Sequence, residues 1–233
     1  MRLMSAVKSD MKFQIKQGFY TVYIILTIMY MIIIKQLPYN MKNIAIPLVV
    51  FTDPSVVGFF FIGGIVMLEK VQGVYKYLAV TPLRAREYLM AKVVSLSILA
   101  EAAGLAITAV TNRENVNWPL LGVGILLTSV FFTLYGFVAA SNCNSMNQYF
   151  IKMVPYMLII IIPCFSIIGF KFSWLFSVFP SVAGLKLVFG AFNDIMTIEA
   201  VINIVYLTVI NIYMLSWVEH RYNHSIITGG EVE

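Results

Sequence analysis

The chain has 233 residues, 60% of them hydrophobic and only 12% charged, with a mean hydropathy of +0.86. Soluble domains run about 45–50% apolar and about 25% charged, so this composition excludes a soluble globule and points to a membrane protein. The net charge of +5 does not indicate a nucleic-acid partner, because the Lys and Arg residues stand at the ends of apolar runs, where membrane orientation places them.

The first element is amphipathic. In residues 3–16, Leu3, Met4, Val7, Met11 and Ile15 share one helical face, while Lys8, Lys12 and Lys16 share a flank. That pattern predicts a helix lying along the inner leaflet. A crossing helix needs about 20 mostly apolar residues to traverse about 30 Å of hydrocarbon. Six stretches qualify: 17–34, 46–68, 93–112, 119–140, 153–170 and 200–218. The second carries Asp53, followed by Pro54 and by Gly58, Phe59, Phe60, Phe61, Gly63 and Gly64. Asp53-Pro54 reads as a helix entrance. The third has Glu101 near its middle, the fourth opens with Trp118-Pro119, the fifth contains Pro155 and Pro163, and the sixth contains Asn203 and Asn211.

Two segments between spans are distinctive. Residues 69–92 hold five of the sixteen Lys and Arg residues, with an apolar stripe of Val71, Val74, Tyr75 and Leu78. Thr81 is a candidate cap and Pro82 suits the first turn of a helix that runs from about Leu83 into the third span. Residues 172–193 are apolar but interrupted by Pro180, Gly184, Lys186 and Gly190, which predicts a re-entrant hairpin or surface-lying helices on the outer side. With the N-terminus inside, eleven of the sixteen Lys and Arg residues are cytoplasmic, so both termini are expected there. The predicted fold is an all-α membrane protein, one transmembrane domain over residues 1–233. It has six spans, an N-terminal interfacial helix, a cytoplasmic helix between spans 2 and 3, and re-entrant or interfacial helices between spans 5 and 6.

The polar residues inside the spans are the candidates for a substrate pathway. Charged side chains at membrane depth are costly, and usually face the bundle interior or a cavity. Glu101 reads either as a pathway residue meeting a cationic or zwitterionic substrate or as a neutral acid bonded to a neighbouring helix. Asp53, Phe59, Phe60, Asn203 and Asn211 complete the candidate set, with packing the first reading for the Phe cluster. The glycines of the second span, Ala102 and Ala106 on the third, and Gly136 and Ala140 on the fourth also read as helix packing. Cys143 and Cys164 lie in or beside spans, so a disulfide is not expected. No catalytic or metal-binding constellation is found: His220 and His224 are four apart without a third ligand, and there is no H-E-x-x-H or G-x-S-x-G.

Glu69-Lys70, Gly73, Leu78, the run Val80-Thr81-Pro82-Leu83, then Glu87-Tyr88-Leu89 and Lys92 resemble the intracellular segment of type 2 ABC exporter permeases. The layout of the whole chain is similar too, and Asp53-Pro54 with the Gly58–Gly64 run resembles permease subunits for fluoroquinolone export. Gln72-Gly73-Val74 departs from the Glu-Gly-Thr of many members. The resemblance implies a homo- or heterodimer of permeases in a bacterial plasma membrane, each docked on a separate cytoplasmic ATP-binding subunit. It implies that Glu69, Lys70, Gly73, Tyr75, Lys76, Leu78, Thr81, Pro82, Leu83, Arg84 and Glu87 belong to the coupling region. The chain itself is then not an enzyme and binds no cofactor. It has no G-x-x-x-x-G-K-[ST] loop, so ATP and Mg belong to the partner subunit. The expected cargo is a hydrophobic or amphiphilic small molecule. The alternatives are a proton-coupled secondary transporter using Glu101 and Asp53, and a non-transporting membrane scaffold.

Overall fold

In hydrocarbon each backbone N–H and C=O must be satisfied within its own segment, so long apolar runs become helices. The computed structural model describes residues 2–73, 84–111, 116–141, 143, 145–164, 176–193 and 195–228. Among these, every regular element is a helix: α1 (Arg2–Lys16), α2 (Phe19–Gln36), α3 (Tyr39–Val71), α4 (Ala85–Thr111), α5 (Trp118–Ser141), α6 (Met146–Cys164), α7 (Pro180–Phe192) and α8 (Thr197–Thr228). Six stretches are long and apolar enough to cross a membrane: Phe19–Gln36, Met41–Val71, Ala85–Thr111, Trp118–Ser141, Met146–Cys164 and Thr197–Arg221. The all-α class with six spans is therefore the architecture of the chain.

Three boundaries differ from expectation. The fifth span starts at Met146 rather than at 153 and its described helix runs to Cys164, while the expected stretch 165–170 lies outside the described residues. Lys152 sits inside its first turns, because a helix extending beyond the hydrocarbon tolerates polar residues at its end. Ser145 caps it, accepting from the Gln148 amide at 3.3 Å. Asp53-Pro54 is not a helix entrance, since α3 runs unbroken from Tyr39 through Pro47 and Pro54 to Val71. Neighbouring helices let membrane helices tolerate internal proline. Finally, Pro180 does not interrupt α7 but begins it, at a position where the missing N–H costs nothing.

The helices α3, α4 and α5 form the buried centre, while α2, α6 and α8 each leave an apolar flank exposed. The most extensive interface joins α3 to α5, and it exists because glycine lets backbones approach. A Cβ at Gly136 of α5 would lie 2.8 Å from the Phe59 carbonyl oxygen of α3. Gly63 of α3 lies directly beneath the Tyr149 ring, whose hydroxyl donates to that same carbonyl at 2.9 Å. At 13 residues, or about 20 Å, α7 is too short to cross. It packs against α3, α5, α6 and α8, and Lys186 joins it to Glu199 of α8 at 3.1 Å. At the other end of the bundle α1 packs against α2 and the start of α4, and Lys92 of α4 links it to the end of α3.

Candidate functional site

The charged residues flanking the 69–92 segment are anchored inside the bundle. Glu69 is 5% exposed and Lys92 2% exposed. The Lys92 ammonium donates to Glu69 Oε1 at 2.7 Å and to Asp10 Oδ1 at 2.8 Å. It also stands 4.8 Å from the Tyr88 ring centre, and the Tyr88 hydroxyl donates to Glu69 Oε2. Gln14 donates to Asp10 at 2.6 Å and to Ser95 at 2.7 Å, and the Ser95 hydroxyl donates to Asp10. One ammonium thus bridges two carboxylates drawn from α1 and α3, with α4 supplying Lys92, Tyr88 and Ser95. Burying three charges is tolerable only because each is paired and hydrogen-bonded.

Around this cluster Lys70, Gly73, Arg86 and Glu87 each have a structural task. Lys70 reaches the other way, donating to the Cys143 carbonyl between α5 and α6 at 2.6 Å. Burial pushes the Cys143 thiol above its ordinary pKa, so it sits there as a neutral group. Gly73 ends α3 with φ of +70°, its amide bonded to the Lys70 carbonyl at 3.1 Å, in the left-handed turn that favours glycine. Glu87 accepts from the Arg84 backbone amide at 3.0 Å, which is half of a capping box opening α4. Arg86 faces Glu219 of α8 at 3.9 Å. The remaining coupling candidates, Tyr75, Lys76, Leu78, Thr81, Pro82 and Leu83, lie outside the described residues. Glu69, Lys70 and Glu87 are therefore braces within this chain, and the exposed groups beside them are Val71, Gln72, Arg84 and Arg86.

Asp10, Gln14 and Ser95 were not legible as site residues. Asp10 is the lone acid on a helix carrying Arg2, Lys8, Lys12 and Lys16, and with Gln14 it makes an i, i+4 polar pair. That pair was the available signal. The face of α1 that packs on the bundle is Val7, Asp10 and Gln14, next to the apolar face on which Met4 and Ile15 remain exposed.

The substrate-pathway candidates divide into separate groups. Phe59 is fully buried in the core of α3 and α5, stacked on Tyr135 at 5.8 Å, and the partly buried Phe60 packs edge-on against it. Asp53 is buried with neither oxygen hydrogen-bonded among the described residues, and Tyr23 and Tyr30 of α2 lie within its electrostatic reach. Asn203 is turned back on its own helix, donating to the Glu199 carbonyl at 2.8 Å. Glu101 and Asn211 do come together, as lining residues of one groove of about 530 Å³ between α4, α5 and α8. Ala102, expected in helix packing, is exposed and lines the same groove. The packed small face of α4 is instead Ala103 and Gly104. Among the described residues no group of three or more His, Cys, Asp or Glu could hold a metal ion.

Six helices able to cross a membrane, two of them tied by a buried ion cluster at the flanks of the 69–92 segment, define a multi-pass helical membrane protein. The profile of the fluoroquinolones export permease protein family matches residues 1–229, and the chain belongs to that family, which makes it a transport permease. It is 27% identical over 199 residues to the fluoroquinolones export permease proteins of Mycobacterium tuberculosis strains CDC 1551 and H37Rv, covering 83% of this chain and 82% of each relative.

Proposed function

We propose that this chain is the membrane subunit of an exporter energised by a separate ATP-binding subunit, which moves a hydrophobic or amphiphilic, fluoroquinolone-like small molecule out of the cell. The supporting observation is the ion cluster. It binds both ends of the 69–92 segment to each other and to α1, so a load applied between them is delivered to α3 and α4 together. In this reading residues 74–83 dock on the ATP-binding subunit, α1 lies along the inner leaflet and both termini are cytoplasmic. Closure of two ATP-binding subunits around ATP displaces the elbow, and the spans of a permease dimer switch access outward. The drive is the higher affinity of ATP for the closed state, as any ligand-driven change requires.

The test is co-purification of the chain with its ATP-binding subunit, followed by ATP turnover with and without cargo. Tyr75→Ala combined with Leu78→Ala should abolish co-purification while leaving the membrane part folded. Full efflux after deletion of the ATP-binding subunit, or collapse of efflux on uncoupling while ATP stays high, would instead favour proton coupling. The geometry offers that alternative little support. Tyr23, in electrostatic reach of Asp53, packs against Leu99 and Ala103, on the face of α4 opposite the one that carries Glu101 into its groove.

A further inference from the structure

The groove between α4, α5 and α8 has no part in the coupling geometry. Its walls are hydrocarbon from Val94, Ile98, Leu126, Val130 and Ile212, and its volume of about 530 Å³ lies in the range of drug-sized sites. Ile98, Leu126 and Ile212 are 49%, 46% and 62% exposed, so the mouth opens sideways, midway along three spans, rather than at either end of the bundle. Four polar side chains interrupt the hydrocarbon: the Thr208 hydroxyl donates to the Ile204 carbonyl at 2.7 Å and Ser97 accepts from Ser129 at 3.5 Å, which leaves two acceptors. Glu101 Oε2 and Asn211 Oδ1 are both buried and have no hydrogen-bond partner among the described residues. Asn211 is held in that orientation by its own amide, which donates to the Leu127 carbonyl at 2.9 Å. Glu101 is seated by Gly122, where a Cβ would come within 2.9 Å of its Oε1.

We infer that this groove binds a small amphiphile carrying a protonated amine on an apolar body, taken up laterally from the membrane. The inference deepens the export reading and rests on it for the occupant's being cargo. An acyl chain would fill the volume but strand both acceptors, because it has no donor. The backbone of a neighbouring helix has its N–H groups engaged internally and cannot supply one. An ammonium brings three donors, a charge opposite to that of Glu101 and, on an apolar stem, a surface matching the walls.

The test uses the full chain in phosphatidylcholine nanodiscs with no ATP-binding subunit, titrated with a fluorescent dansyl-alkylamine and with its N-acetylated analogue. Wild type should prefer the amine by at least about tenfold, the least expected of a hydrogen bond to a charged group. Glu101→Gln should remove that preference, leaving the acetylated compound within about twofold of its wild-type affinity. Gly122→Ala, which displaces the carboxyl by a methyl group, should reduce the preference. Ala102→Trp, which fills the mouth, should abolish binding of both compounds. If it does not fold, as judged by thermal unfolding, Ile98→Trp on the same wall replaces it. Retention of the preference by Glu101→Gln, unchanged binding to a folded mouth-filling variant, or a phospholipid held in the groove that the amine cannot displace would each overturn the inference. Failure of ATP-driven export with the amine preference intact sinks the energisation reading alone. Loss of the preference in a chain that still exports sinks only the groove.

Discussion

Two layers of this bundle bury carboxylates, and they treat them in opposite ways. At the α1 end, Asp10 and Glu69 share one ammonium, and Gln14, Ser95 and Tyr88 donate to them as well. Nine residues beyond Lys92 along α4, a rise of about 14 Å, Glu101 meets an apolar groove with its Oε2 unpartnered among the described residues. Asp53 on α3 is likewise without a hydrogen bond among the described residues. The contrast separates anchoring from reception. A network that answers all four carboxylate oxygens holds three elements in one arrangement, whereas an unanswered carboxylate oxygen at membrane depth keeps its capacity for a group from outside.

The comparison breaks most directly at Lys92. Lys92→Met strands two carboxylates in a site where the ammonium is 2% exposed, and removing one partner of a buried ion pair costs about 3–5 kcal/mol. The expected result is a large drop in thermal unfolding midpoint, with α1 becoming accessible to protease. Adding Asp10→Asn and Glu69→Gln to the same chain should recover much of the loss, because the uncompensated charge is then gone. Recovery would show that the cluster contributes arrangement more than stability. A Lys92→Met protein as stable as wild type would show that the layer is not a brace.

A middle-sized effect tests the centre through which a moved elbow would act. Gly136→Ala places a methyl group 2.8 Å from the Phe59 carbonyl oxygen and 3.1 Å from the Phe59 Cα. Backbone cannot yield as a side chain can, so overpacking should cost about 1–3 kcal/mol, read as a lowered unfolding midpoint. Arg86→Ala lies at the small end. Its pair with Glu219 spans 3.9 Å, the guanidinium side chain is 66% exposed, and such pairs contribute about 0–1 kcal/mol before salt screens them. Unfolding midpoints of wild type and variant should agree within error at high salt. A difference that persisted there would make Arg86 a buried brace like Lys92.

The spans were legible because the bilayer imposes a length and a composition that short-range pattern records. Their pairing was not. Lys92 lies 82 positions from Asp10, and nothing local to either residue names the other. Glu69 and Lys70 were marked by resemblance as coupling residues, yet adjacent positions on a helix point apart. One turns to α4 and the other to the Cys143 carbonyl, a division visible only once the neighbours are in place. The small-residue spacing of Ala102 and Ala106 misled for a related reason. Ala103 and Gly104 beside it were equally available, and the packed face was chosen by α2 and α3, whose Tyr23 and Phe61 meet Ala103, not by the spacing. Gly73 was the reverse case, a motif glycine whose positive φ explains its presence at the end of α3.

The smallest stability effect is the most informative, because it applies one chemical change to both layers. Glu69→Gln removes the acceptor charge beneath Lys92 and Tyr88 and should cost about 1.5–3 kcal/mol, the worth of hydrogen bonds to a charged group. Glu101→Gln keeps shape and volume and changes an acid whose Oε2 no described residue answers, so its unfolding free energy should stay within about 0.5 kcal/mol of wild type. Thermal unfolding of the two variants side by side measures the difference. Equal losses would mean that Glu101 has a partner within the fold, and the groove would then be packing. A loss confined to Glu69 leaves Glu101 dispensable for the structure, as a residue held for an external donor must be.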